Sequence, residues 1–180
     1  MIRRRPRPEL PQPDPERGIA FGWRAHEAIQ GWTASVDAKA SVALVVEVAV
    51  TGTAIKELIT KNGELHSAVG LHLATAITAC AFLVAAVAGA LTVIAPRLAR
   101  RRTARLDHLG LIYFGHLRTQ KPDAIAERLA NLTADEERNE LASQLQITAK
   151  VAWNKHNALQ ASLALFLLGC VLLVLAFVAF

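Results

Sequence analysis

GLHLATAITACAFLVAAVAGALTVIA, residues 70–95, is the stretch whose reading decides the fold. It lies in a run of 32 residues between Glu64 and Arg97 that carries no charged side chain, and a second such run of 25 residues extends from His156 to Phe180. Both are longer than the roughly 20 apolar residues a helix needs to cross the hydrocarbon core of a bilayer. The chain as a whole is 53% hydrophobic over 180 residues, above the ~45–50% of soluble domains, and these runs hold the excess. A soluble globular fold is therefore ruled out as the main reading. The expected class is an all-α membrane protein with three transmembrane helices and long cytosolic helical extensions. Such spans use about 65 residues, and the remainder is too small for an enzyme domain of about 100–150 residues. The chain is accordingly expected not to be an enzyme.

Upstream, SVALVVEVAVTGTAI lies between Lys39 and Lys56 and contains Glu47. The 16 residues between the lysines fall short of a core about 30 Å thick at 1.5 Å per residue, a gap that long lysine stems can close by snorkelling. The expected spans are thus about 40–59, 70–95 and 157–179, with cytosolic helical regions at 18–39 and 96–156. Residues 1–17 hold five of the seven prolines and the cluster Arg3, Arg4, Arg5 and Arg7, a composition that reads as a disordered basic tail. With the apolar run some thirty residues away, it is not a signal peptide. Residues 18–180 then form a single module.

Downstream of residue 95, Pro96 and the basic cluster Arg97 to Arg105 end the second span. Residues 103–119 are expected to continue as helix, and Lys121-Pro122-Asp123 opens a short helix ending near Leu132, with Pro at a tolerated first-turn position. Thr133-Ala134-Asp135-Glu136 reads as a capping box. No Gly or Pro occurs from Asp135 to Leu168, so the last helix can run from the cytosol into the third span unbroken, for about 70 Å.

The net charge of +5 raises the question of nucleic acid, but its distribution points to topology. Lys and Arg number seven in residues 1–40, two in 56–70 and eleven in 97–158; the first and last segments share one side of a three-span protein, which the positive-inside rule makes cytoplasmic. The expected topology is a multi-pass membrane protein with a cytoplasmic N-terminus and no nucleic-acid partner. Cys80 and Cys170 lie in apolar runs as small hydrophobes.

No catalytic constellation, phosphate loop or zinc pair is present, and His66 and His72 sit where a lone histidine tolerates an interface more often than it binds a metal. No metal, catalytic residue or cofactor is expected. Glu47 stands out, because a carboxylate within a span costs about 2.5–3.5 kcal/mol on insertion scales. It reads either as a polar contact lining a pore or joining subunits, or as a neutralised or interfacially hydrated group, with Thr51 and Gly52 close to its face. Near the cytosolic boundary lie Trp23, Arg24, His26, Trp32, Asp37 and Lys39, then Tyr113, Phe114, His116 and Arg118, then Trp153, Asn154, Lys155 and His156. Singly these are interface aromatics and snorkelling cations. Together they would suit a small anionic nucleotide, with cations for phosphate, rings for stacking and polar groups for a base edge.

The motif W-T-A-S-V-D-A-K-A-S (32–41), the charge-free second span, Y-F-G-H-L (113–117) and Q-x-x-x-x-A-K-V-x-x-x-K-H-x-x-L (144–159) resemble the transmembrane effector family of Pycsar antiphage systems, over roughly residues 23–175. The resemblance implies a pairing with a pyrimidine nucleotide cyclase whose product, cyclic UMP or cyclic CMP, the effector senses before impairing the membrane and causing abortive infection. The positions matching the family pattern are Asp37, Lys39 and Ser41, then Tyr113, Phe114, Gly115 and His116, then Lys150 and Lys155. With nothing ahead of the module but the tail, a stand-alone effector is implied.

The resulting expectation assigns nucleotide contacts to Trp32, Asp37, Lys39, Tyr113, His116, Arg118 and Lys155, and membrane or pore contacts to Glu47 and Gly89, the latter beside Ala88 and Ala90. Homo-oligomerisation would accompany activation, since three spans hardly enclose a pore, and lipid is the remaining partner. Two other readings compete: a constitutive membrane anchor or scaffold for a soluble partner, and a ligand-independent holin-like pore former.

Overall fold

The computed structural model describes residues 14–60, 70–95 and 110–178. Of these, 91% are helical and none is in a strand. The helices are α1 (Pro15–Thr60), α2 (Gly70–Ile94), the single turn α3 (Phe114–Leu117), α4 (Pro122–Ala130) and α5 (Ala134–Val178). The all-α expectation holds. Residues 1–13, 61–69, 96–109 and 179–180 lie outside the described residues, and with them most of the basic tail, His66 and the Arg97 to Arg105 cluster.

α1 begins at Pro15, not at Gly18, because a cap that the sequence reading assigned to the tail is present. Asp14 Oδ1 accepts hydrogen bonds from the backbone N–H groups of Glu16 and Arg17 at 3.1 and 3.2 Å, and proline occupies the first helical position, where its missing N–H leaves no intrahelical bond unmade. α1 and α5 have 46 and 45 residues, about 68 Å each. The capping box that opens α5 is formed in both directions. The Glu136 N–H donates to Thr133 Oγ1 at 3.3 Å, and the Thr133 N–H donates to Glu136 Oε2 at 2.9 Å. The backbone bond from Thr133, with that from its hydroxyl and the charge of Arg128, holds the Glu136 carboxyl below its usual value.

The expected helix over residues 103–119 is not what forms in the part described. Residues 110–113 are irregular and only α3 is helical. The reason lies in where the backbone donors go: the Gly110 N–H donates to His116 Nδ1 at 3.1 Å and the Leu111 N–H to Glu140 Oε2 at 2.7 Å. Side chains take hydrogen bonds that a continuing helix would direct to its own carbonyls.

The residues cluster into two compact units: one holds the start of α1 with 110–146, the other the rest of α1, α2 and α5 from Ile147. In the second unit the contact pairs run in opposite order along α1 and α2. Ala40 packs in a cluster with Val93 and Leu159, and Ala54 in one with Cys80 and Leu83, flanked by Phe166, Cys170 and Leu173. α2 is therefore antiparallel to α1, and α5 parallel to it. The interior of this bundle is built largely of small residues (Ala40, Ala54, Ala76, Ala79, Ala86 and Ala90), while larger ones such as Val45, Ile77, Leu91 and Leu167 are exposed. That inversion suits a lipid surround, in which apolar side chains lose nothing by facing outward and small residues let helices approach. Gly169 makes one such approach, since a Cβ there would stand 2.9 Å from Leu83 and 3.2 Å from the Ala79 carbonyl.

Among the described residues two helices are long and apolar enough to cross a membrane: α2 over His72–Ile94, and α5. Only 33% and 17% of their most apolar stretches are buried, unlike the core helices of a soluble domain. The count of three expected spans thus meets two helices that qualify on apolarity. The difference is α1, whose apolar segment is short between Lys39 and Lys56 and carries Glu47.

Candidate functional site

The seven residues expected to contact a nucleotide fall into two sets, one in each unit. In the first unit Tyr113 and His116 meet edge to face, with ring centroids 5.1 Å apart at 83°. His116 is buried, and because its Nδ1 accepts from the Gly110 N–H, any hydrogen of the neutral ring resides on Nε2. Arg118 is exposed one residue beyond α3.

Around this segment the structure adds residues that sequence reasoning did not single out as a site. Glu140 accepts from the Leu111 N–H through one carboxylate oxygen and from Arg128 at 3.0 Å through the other. Arg128 also donates to Gln120 Oε1 at 3.3 Å, and Gln120 donates to the Gly110 carbonyl at 3.4 Å. In the sequence Glu140 is one of four acidic residues, with Asp135, Glu136 and Glu137, at the start of α5. Its distinguishing position, on the side of α5 that faces 110–120, is a matter of tertiary folding. In the same unit the Trp23 indole N–H donates to Glu137 Oε1 at 2.9 Å.

In the second unit Asp37 and Lys155 bind each other. The ammonium donates to both carboxylate oxygens, at 2.6 and 2.7 Å, and the pair is half-buried. The Asp37 backbone carbonyl accepts the Ser41 hydroxyl at 2.9 Å, so Asp37 and Ser41 of the D-x-K-A-S element are bonded together. Lys39 is exposed, and Trp32, 67% exposed on α1, presents an uncovered ring, as does Trp153 on α5. The arrangement can exchange charge: an anion that reached Lys155 would compete with Asp37 for it, and would leave the carboxylate free to accept from a hydroxyl. An apolar depression farther along the bundle, lined by Ala49, Thr53, Glu57, Leu173 and Phe177 among others, offers no cation for a phosphate.

Glu47 and Gly89, expected at membrane or pore contacts, come together inside the bundle around Ser162. The Glu47 side chain is only 1% exposed. Its Oε1 is 2.8 Å from Ser162 Oγ, which is also 2.8 Å from the Ala86 carbonyl. A Cβ on Gly89 would lie 3.2 Å from that of Ser162, so the glycine makes room for the serine. Ser162 itself was not singled out, although it is the one hydroxyl residue in the charge-free run after Lys155, and a small polar side chain in a span is the usual means of joining helices there. Among the described residues no group of three or more His, Cys, Asp and Glu side chains is placed to hold a metal ion.

Compared with known proteins, the sequence matches the family model described as the Pycsar effector protein domain over residues 21–180. No curated protein and no solved structure matches the chain.

Proposed function

The chain belongs to the Pycsar effector family, and from that premise we propose that this antiphage defence effector senses a cyclic pyrimidine mononucleotide, cyclic UMP or cyclic CMP, through its cytosolic helices and then impairs the membrane. Family membership implies a pairing with a cyclase and cyclic-nucleotide signalling. The observation that carries the sensing reading further is the Asp37–Lys155 pair. It joins the two longest helices at the residues where the family-like motifs fall, and it is an ion pair that a cyclic phosphate would disrupt.

On this reading the phosphate takes Lys155, with Lys39 supplying a second positive charge. Asp37 accepts from the ribose hydroxyl, and Trp32 offers a face for the pyrimidine. Tyr113, His116 and Arg118 form the other candidate set. α1 and α5 continue from these positions into the apolar bundle, so a ligand that favours a different α1–α5 packing shifts the spans with it. α1 then crosses the membrane as the third span, since its residues 40–54 run beside the apolar α2. The N-terminus is cytoplasmic by the positive-inside rule, in the bacterial inner membrane. Several chains assemble to breach the bilayer, because three helices leave no lumen, and the cell dies before phage mature.

The test is binding and leakage measured on one preparation. Purified protein titrated calorimetrically with cyclic UMP and with cyclic CMP should bind one of them, and Asp37→Ala and Lys155→Ala should each weaken binding at least tenfold. Liposomes containing the protein should release dye only when that nucleotide is added. Leakage without nucleotide would favour the holin-like reading, and neither binding nor leakage would favour the anchor.

A further inference from the structure

The oxygens of Glu47, Ser162 and Ala86 form a chain whose hydrogens can be counted. Ser162 Oγ stands 2.8 Å from both Glu47 Oε1 and the Ala86 carbonyl oxygen. A serine hydroxyl carries one hydrogen, and both a backbone carbonyl and an ionised carboxylate can only accept. Were Glu47 ionised, one of these two contacts would press bare acceptors together at hydrogen-bond distance, in an interior where an unmade bond is most costly. A hydrogen on Glu47 satisfies both contacts: Glu47 donates to Ser162, and Ser162 donates to the Ala86 carbonyl.

The surroundings agree with a neutral group. α2 carries no Asp, Glu, Lys or Arg, and its one histidine, His72, lies at the start of the helix; α5 carries no charged side chain beyond Lys155. The titratable side chains in the adjoining cluster are the thiols of Cys80 and Cys170, which supply no positive charge. A separation of 2.8 Å is a direct O–H···O distance. Two further oxygens complete the site: Glu47 Oε2 and Thr51 Oγ1 are both buried without a hydrogen-bond partner. They are four residues apart on α1, a spacing that puts their Cβ atoms about 5–6 Å from each other on one face. With the proton on Oε1, Oε2 is an acceptor and the Thr51 hydroxyl a donor, the complement that one water molecule bridges.

We propose that Glu47 is a proton-binding site inside the α1–α2–α5 bundle, with Ser162 relaying its hydrogen bond to the Ala86 carbonyl and Thr51 helping to hold a water on the other oxygen. The ligand is a proton, and the packed bundle is the form that holds it. A state in which α1 and α5 part would hand Glu47 to water and release that proton. The inference concerns the packed protein, and stands whether or not a nucleotide is the trigger.

Infrared spectroscopy of the full chain in lipid at neutral pH tests it. The carbonyl stretch of a protonated carboxyl should be present in the wild type, disappear in Glu47→Gln, and shift in Ser162→Ala, where the carboxyl loses its acceptor. Glu47→Gln should also unfold at a temperature close to wild type, since its amide N–H replaces the lost donor to Ser162, while Glu47→Ala should unfold at a clearly lower one. Absence of the band in the wild type, or a band that Glu47→Gln leaves in place, overturns the proposal. So does a wild-type melting temperature that rises with sodium while that of Glu47→Gln does not, which would make the site one for a cation. Should Glu47→Gln fail to fold, the wild-type band and its Ser162→Ala shift decide the matter.

Discussion

The two units of this protein are held by different forces. In the first, short irregular segments are fixed by polar contacts: Glu140 accepts from the Leu111 backbone and from Arg128, His116 accepts from the Gly110 backbone, and Gln120 donates to the Gly110 carbonyl. In the second, long helices meet through alanines and glycines, and among the described residues one fully buried polar chain, Glu47–Ser162–Ala86, lies within them. The contrast follows from the solvent. Water lets a polar network form at modest net gain per bond, so many bonds are needed. Lipid provides no hydrophobic force between helices, so close packing and rare interhelical hydrogen bonds must specify the bundle. Damage to the first unit should therefore be local, and damage to the second should spread along whole helices.

The largest effect is expected from overfilling the bundle. Gly169→Leu would drive a side chain into Leu83 and the Ala79 carbonyl, at a cost of about 1–3 kcal/mol or more. Thermal unfolding in detergent should show a marked fall in midpoint, and an unchanged midpoint would mean that α5 does not pack on α2 at Gly169. Next, Glu140→Ala in the first unit removes the acceptor of the Leu111 N–H, a charge-assisted bond worth about 1.5–3 kcal/mol. The Arg128 pair adds little, because the arginine is substantially exposed. Hydrogen exchange should accelerate across 110–120 while α2 is unchanged; acceleration in α2 as well would erase the contrast between the units.

A smaller effect is expected at the start of α5. Thr133→Ala should cost about 1 kcal/mol through the lost N-cap, read as faster exchange over 134–138. Because Glu136 is held below its usual carboxylate value, its contribution is present above that usual value and is lost as pH falls through the lowered one. Acid titration of the wild type should thus loosen this turn, and Glu136→Gln should flatten the dependence. Asp37→Ala should change stability least, by about 1 kcal/mol or less for a half-exposed ion pair, with its main consequence in nucleotide binding.

Much of the fold was legible in the chain because its signals are local. The charge-free runs mark α2 and the apolar part of α5, the lack of Gly and Pro after Asp135 permits one unbroken helix, and Thr133 with Glu136 carries its own capping geometry. Where the sequence reading departed from the structure, the deciding partner was either misassigned or distant. Asp14 caps α1 from within what read as tail. The helix expected over 103–119 gives way, in its described part, to an irregular segment because Glu140, some thirty residues on, takes the Leu111 N–H.

The candidate site divides in the same way. Composition could gather Trp32, Asp37, Lys39, Tyr113, His116, Arg118 and Lys155 as cytosolic polar and aromatic groups, but not pair Asp37 with Lys155 across 118 positions. Likewise Glu47 and Gly89 were visible as an anomalous charge and a small residue, and nothing in their spacing tied either to Ser162. The sequence by itself determined an all-helical class, its apolar runs and its family, because hydropathy and helix-ending chemistry act over a few residues. Only the tertiary structure decided which polar groups satisfy one another, because a buried donor or acceptor finds its partner wherever packing brings one within hydrogen-bond reach.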